Sequence, residues 1–228
     1  MTEPLLLAPF GFLSQLRQHN DRDWFNAHKD QYLAVHQQVI KLADRVLEGL
    51  AIHDDLETPT GKKSLHRIYR DVRFSKDKTP YSTHFGGSFK RASAERRGGY
   101  YYHLEPGNTF VIGGFWSPSA ADLLQIRKQI QQDPEPLRDI LNSNAFQSQF
   151  GELLGTQLKT SPRGFDPEDD AIELLRYKQF LIQHKFTDEE AMRTDFDQLI
   201  VEQFTHMRPF FDYMSEILTT DLNGESLL

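Results

Sequence analysis

The densest group of side chains that could bind an anion lies between residues 62 and 97. Eleven lysines and arginines stand there against three acids, a local balance of +8 in a chain whose net charge is −7. Arginine matches two oxygens of a phosphate or carboxylate at once, and lysine adds point charge. We therefore predict a site for a phosphate- or carboxylate-bearing small ligand. The residues expected to form it are Arg67, Tyr69, Arg70, Arg73, Ser75, Lys76, Lys78 and Tyr81.

Internal ion pairs are the alternative use of these cations. Residues 164–228 hold fifteen Asp or Glu and only five Lys or Arg, so this segment could neutralise the basic stretch. A third possibility is an adaptor whose basic patch docks an acidic protein partner. The net charge argues against a general nucleic-acid binder, because such proteins usually need overall basic character.

Proton chemistry has four candidate residues, which are Asp71, His84, His103 and Glu105. A histidine near a sheet surface can act as a general acid or base, although a histidine on a strand is more often structural. Asp71 stands among arginines, which keep a carboxylate ionised, so it is better suited to orient an arginine than to accept a proton. Glu105 follows His103 by two residues and belongs to the same group. These residues leave open whether the protein is an enzyme.

No metal or cofactor is predicted. His84, His103 and Glu105 could meet on one face of adjacent strands, but their spacing matches no metal-binding signature. The chain contains no G-x-x-x-x-G-K phosphate loop, no dinucleotide fingerprint after a strand and no G-x-S-x-G elbow.

The basic stretch must be positioned by a regular element or a loop, and two patterns compete there. As a strand, it would place Ile68, Val72 and Phe74 on one side. As a helix, it would pair Arg67 with Asp71 four residues later. The β-branched and aromatic content favours a strand through about Arg70.

Further elements follow from periodicity and turn signals. Tyr100 and Tyr102 alternate with Tyr101, so at least one side of that strand is expected to pack in the core, although aromatic sheet faces can also stack bases. The other predicted strands are residues 81–90, 100–105, 109–116 and 177–186, and the predicted helices include residues 24–50 and 195–218, the latter kinked by Pro209. The fold class is therefore α+β, with an antiparallel sheet of about four to five strands flanked by N- and C-terminal helices. We expect a single domain over residues 1–228.

Composition restricts the cysteine chemistry and the cellular compartment expected for the protein. The chain has 228 residues, of which 38% are hydrophobic, and no cysteine. Disulfides, a thiol nucleophile and Cys-ligated metals are thus excluded, and nothing points to an oxidising compartment. No apolar run approaches the roughly 18 residues of a spanning helix. We expect a cytoplasmic protein that does not act in a membrane.

The order of motifs resembles a widespread family of uncharacterised proteins known only as a domain of unknown function. The longest motif reads R-x-Y-R-D-x-R-F-S-x-D-K-x-P-Y and covers residues 67–81. Other matching pieces are Phe12-Leu13, Trp24-Phe25, Tyr101 to Gly107, Phe115 to Pro118 and Arg163 to Asp166. The resemblance implies a single α+β domain and brings no activity, substrate or catalytic residue.

Overall fold

A four-stranded antiparallel sheet forms the β part of the protein. The computed structural model describes residues 3–228. The strands are β1 (Phe85–Lys90), β2 (Gly99–Leu104), β3 (Thr109–Phe115) and β4 (Phe180–Phe186), in the spatial order β1-β2-β3-β4. Helices precede the first strand and follow the last one. The predicted α+β class is confirmed, with four strands.

Eleven helices lie within residues 3–228. They are α1 (Leu7–Gln18), α2 (Arg22–Ala27), α3 (Lys29–Leu50), α4 (Gly61–Ser64), α5 (Ala120–Gln132), α6 (Glu135–Asn142), α7 (Asn144–Phe150), α8 (Ile172–Leu175), α9 (Asp188–Ala191), α10 (Phe196–His206) and α11 (Arg208–Thr219). Two predicted long helices are each divided in two. The first is interrupted at His28, and α11 begins just before Pro209, which fits the first turn of a helix because its missing N–H needs no partner there.

The strand predicted for the basic stretch is wrong, and so is the competing helix. Only two isolated antiparallel bridges occur there, from Leu65 to Gly87 and from Tyr69 to Tyr81. After Arg70, carboxylates of the loop itself accept hydrogen bonds from backbone amides. The Arg73 amide donates to Asp71, and the Thr79 amide donates to Asp77. Such short-range bonds compete with strand pairing.

The chain divides into two compact units. Unit 1 comprises residues 3–89, 101–111 and 185–202 of the part described here, and unit 2 comprises residues 90–100, 112–184 and 203–228. The expectation of one domain for residues 1–228 stays a prediction. None of the helices within residues 3–228 combines the length and apolar composition that crossing a bilayer requires.

The alternation of the β2 tyrosines separates a packed face from an open one. Tyr102 is 2% exposed, packs on Phe89 with ring centroids 5.4 Å apart, and its hydroxyl lies 2.7 Å from that of Ser64. In unit 2, Tyr100 is 1% exposed and packs against Phe204. Tyr101 points to the opposite side and is half-buried. The prediction that at least one side of this strand packs inward is therefore confirmed.

Candidate functional site

The basic loop, which we define as residues 67–81, is held together by its own acids. Arg70 Nη1 donates to Asp77 Oδ2 at 2.5 Å, to the carbonyl oxygen of Thr79 at 3.1 Å, and to the Thr79 hydroxyl. Asp77 also accepts a bond of 2.9 Å from the Thr79 amide. The Thr79 amide first, and then Arg70, lower the pKa of Asp77 to about 2. Arg70 is thus occupied by a partner seven residues away.

A second ion pair closes the middle of the loop. Arg73 donates from Nε to Asp71 Oδ1 at 3.0 Å and from Nη2 to Asp71 Oδ2 at 2.6 Å. The Arg73 guanidinium lowers the pKa of the Asp71 carboxyl, as the sequence analysis expected for an acid among arginines. Both arginines therefore pair with acids of the loop itself, and these two pairs do not involve the acid-rich C-terminal segment.

Three cations of the loop form no ion pair with a carboxylate among the residues that the structure describes. They are Arg67, Lys76 and Lys78. Lys78 Nζ donates instead to the backbone carbonyl of Val72 at 2.9 Å. Phe74 lies between Arg67 and Lys76 in the sequence and is 96% exposed, while Ser75 is half-buried. The loop thus combines excess positive charge with an exposed aromatic ring.

Aromatic packing anchors the base of the loop. Tyr81 is 4% exposed and stacks on the buried ring of Phe25 at a centroid distance of 3.9 Å. Asn20 brackets the Tyr81 backbone, donating to its carbonyl oxygen at 2.9 Å and accepting from its amide at 3.1 Å. Tyr69 packs edge-on against Phe25 and stays 54% exposed. Tyr81 is therefore a core anchor, whereas Tyr69 is accessible.

A second group of candidate side chains lies on the face of the sheet to which Tyr101 points, and we call it the imidazole face: His66, His84, Tyr101, His103 and Glu105. His103 lies at its centre, 8% exposed. Its Nε2 lies 3.1 Å from Glu105 Oε2, and its Nδ1 lies 3.1 Å from the Tyr101 hydroxyl. The His66 ring packs against Tyr101 at 5.7 Å.

Glu105 gathers donors from several elements. Arg17 Nη2 at the end of α1 donates to Oε1 at 2.8 Å, and the Thr83 hydroxyl donates to the same oxygen at 3.1 Å. The Asn108 side chain donates to Oε2 at 3.0 Å. Burial alone would raise the pKa of Glu105, but bonds from Asn108, His103 and Thr83 outweigh it and lower that pKa to about 2. Glu105 is thus a fixed negative charge.

His84 is the third histidine of this face. Its ring stacks on His103 at a centroid distance of 4.1 Å, and its nitrogens bond no residue in the described part of the chain. Burial, followed by the neighbouring His103, lowers the pKa of His84 to about 4, while Glu105 opposes this effect and His66 and Arg70 add to it. At neutral pH, His84 therefore offers one N–H donor and one free lone pair.

The donor set does not suit a metal ion. Both ring nitrogens of His103 are engaged, by Tyr101 and Glu105. Within residues 3–228, no group of three or more His, Asp or Glu is arranged to hold a metal.

The structure brings together some of the predicted residues and separates others. His84, His103 and Glu105 share the imidazole face, while Asp71 lies in the basic loop, bonded to Arg73. Sequence reasoning missed Tyr101 as a polar member of the site, although residues two apart on a strand share a face. Arg17 and His66 had no local signal, because only the tertiary fold brings them to β2.

A family model described as "Conserved hypothetical protein (DUF2461)" matches residues 8–213. The chain belongs to the DUF2461 family. Both the basic loop and the imidazole face of this DUF2461 member fall within the matched region. No curated protein and no solved structure matches the chain. The resemblance to a family of uncharacterised proteins is thus confirmed at the level of the family.

Proposed function

We propose that this protein binds a small phosphate- or carboxylate-bearing molecule at the imidazole face, with help from the basic loop. The observation that carries the proposal is His84. Its ring has two unbonded nitrogens within the described residues, and the charges that act on it include the Glu105 carboxylate and, more weakly, the Arg70 guanidinium. A neutral imidazole N–H can donate to an anionic oxygen, and the cations of the basic loop would offset the charge of Glu105.

The charge balance of the basic loop supports this proposal. The loop carries five cations and two acids, and each acid is already bonded to one arginine. Among the loop arginines, Arg67 is the one whose fork remains available for two ligand oxygens. Arg70 acts through its charge, and Tyr69, Ser75, Lys76 and Lys78 remain the proposed surrounding contacts.

The test uses inorganic phosphate, sugar phosphates, nucleotides and dicarboxylates as probes in thermal-shift and calorimetric titrations. Arg67→Ala should weaken binding of the best probe roughly tenfold, the size expected for one charge-assisted bond. Arg73→Ala is the matched control, because the Arg73 fork is closed by Asp71, and it should change the affinity little. Equal losses in the two variants would show that only general positive charge matters.

A second measurement tests whether the ligand binds at His84. Binding of an anion should raise the pKa of His84 from about 4, because a negative charge favours the imidazolium form. Titration of the His84 ring resonances by NMR, with and without the probe, measures this shift. If no probe moves the His84 titration and none stabilises the protein, the proposal is wrong.

A second candidate function is an adaptor that docks an acidic protein partner, and Phe74 is the observation that favours it. Its ring is 96% exposed, with the Arg73 guanidinium 5.9 Å from the ring centroid. Aromatic and arginine side chains are enriched in interface hot spots. Reversal of Lys76 and Lys78 to Glu should abolish such docking, and for an adaptor the small-anion probes should not stabilise the protein. Salt-sensitive gel retardation by nucleic acid would instead favour a nucleic-acid binder.

A further inference from the structure

We propose that Tyr101, His103 and Glu105 form a proton relay that activates the Tyr101 hydroxyl as a nucleophile, so that the imidazole face is a catalytic site. The three residues occupy alternate positions along β2 and the residue just after it, which brings their side chains to one face. The two polar contacts of the relay both measure 3.1 Å. This proposal takes its substrate class from the proposed function, whereas the relay itself does not depend on it.

The protonation states follow from Glu105. Because this carboxylate is ionised and can only accept, neutral His103 must place its proton on Nε2 and donate it to Glu105. Nδ1 then carries the lone pair and accepts the bond from the Tyr101 hydroxyl. The order hydroxyl, imidazole, carboxylate is the order in which nucleophilic hydroxyl groups are activated in hydrolases.

The proposed step balances without an external oxidant or metal. The Tyr101 oxygen attacks the phosphorus of a phosphate ester or the carbonyl carbon of an acyl ester in the ligand, and the alcohol portion leaves with the electron pair of the broken bond. The Tyr101 proton passes to Nδ1 of His103, forming an imidazolium whose charge Glu105 stabilises. The product is an ester of Tyr101. Burial and the Glu105 charge raise the pKa of Tyr101, so its hydroxyl keeps the proton until the step occurs.

The surroundings fix the relay in place. The His103 ring is sandwiched between His84 at 4.1 Å and Phe110 at 4.5 Å, and Arg17 holds the far side of Glu105. The Tyr101 oxygen lies over Gly86, where an added Cβ would come within 2.7 Å of it. A glycine at this position therefore leaves room for the hydroxyl.

Benzenesulfonyl fluoride tests the relay without knowledge of the substrate. It forms an O–S bond with tyrosine while fluoride leaves, and the phenol proton must be taken up by a base. Tyr69 is the internal control, because it is 54% exposed and has no relay among the described residues. Rates at each tyrosine are measured by mass spectrometry of peptides. We expect Tyr101 to react at least tenfold faster than Tyr69, although Tyr101 is the more buried of the two.

Two variants and a pH profile separate the relay from simple accessibility. Glu105→Gln and His103→Gln should each lower the Tyr101 rate to about that of Tyr69, whose rate stays unchanged and reports an intact fold. The Tyr101 rate should fall in acid, because protonated His103 cannot accept the proton. The charged and titratable groups facing His103 are His84, Tyr101 and Glu105, with Arg17 behind Glu105.

Two results would overturn the relay: a Tyr101 rate no higher than that of Tyr69, or a Tyr101 rate that Glu105→Gln leaves unchanged. If His103→Gln does not fold, the Glu105→Gln result decides. No phosphate or carboxylate probe is present in this assay. A negative result for the relay would therefore not contradict anion binding at Arg67 and His84. Likewise, an absence of anion binding would not change the expected tyrosine rates.

Discussion

The basic loop and the imidazole face bring charged groups together in different ways. In the loop, ion pairs join residues two and seven apart, and the members of the Asp71–Arg73 pair are 59% and 77% exposed. On the face, Glu105 is only 15% exposed and bonds groups from α1, β2 and neighbouring segments. Exposed pairs are screened by water and contribute little, whereas a buried network is costly to break. Charge density alone therefore does not identify the stabilising polar site.

The largest expected effect comes from removal of the Glu105 carboxylate. Glu105→Ala leaves Arg17, Thr83 and His103 without their shared acceptor, and the free energy of unfolding should fall by about 2–3 kcal/mol. Urea denaturation followed by circular dichroism measures this loss.

The matched variant in the loop is Asp71→Ala. It removes an acid of the same charge whose one bonded side chain within residues 3–228, that of Arg73, is largely exposed to water. We expect no measurable change in stability. A comparable loss in the two variants would contradict the contrast between the regions.

Gly86→Ala perturbs the face through its backbone. The new Cβ would lie 2.7 Å from the Tyr101 oxygen, so the tyrosine must move and weaken its bond to His103. We expect a loss of about 1–2 kcal/mol, typical of modest overpacking, in the same urea assay. Gly11→Ala in α1 is the control, because nothing lies within 4 Å of the added Cβ. That helical position should gain stability, by about 0.5–1 kcal/mol.

The pH dependence of stability should also originate on the imidazole face. The pKa of His84 is about 4 in the folded protein against a usual value of 6.5, so its contribution is complete above pH 6.5 and is lost as the pH falls toward 4. Glu105 has a folded pKa of about 2 against 4.5, so its contribution is lost in more acid solution. His84→Asn should flatten the stability curve between pH 6.5 and 4.

Protonation of His84 should lower the free energy of unfolding by about 1–2 kcal/mol. A pKa shift is worth ~1.4 kcal/mol per unit, and the expected loss is smaller than the full shift from 6.5 to about 4 would give because the ring is partly exposed. Urea midpoints at pH 7 and pH 4.5 measure it. An equally steep curve in His84→Asn would mean that other groups set the acid response.

How much the sequence predicts differs between the two regions. The sequence reveals the basic loop directly, because its charged residues are contiguous. Its conformation was not predicted, because Asp71 and Asp77 bond nearby backbone amides instead of allowing a strand. The strands of the sheet follow from alternation and turn residues, which act locally. The network around His103 depends on the placement of Arg17 and Thr83, which no local pattern encodes.

The smallest expected effect is that of Phe74→Ala, which should change the free energy of unfolding by no more than about 0.5 kcal/mol. A phenyl ring that is 96% exposed buries almost nothing on folding, so its removal creates no cavity. Phe110→Ala is the comparison on the imidazole face: its half-buried ring covers His103, and its loss should cost about 2 kcal/mol. Urea denaturation of the two variants gives both numbers. If Phe74→Ala were as destabilising as Phe110→Ala, Phe74 would be part of the core, and the loop tip would no longer be available to a partner.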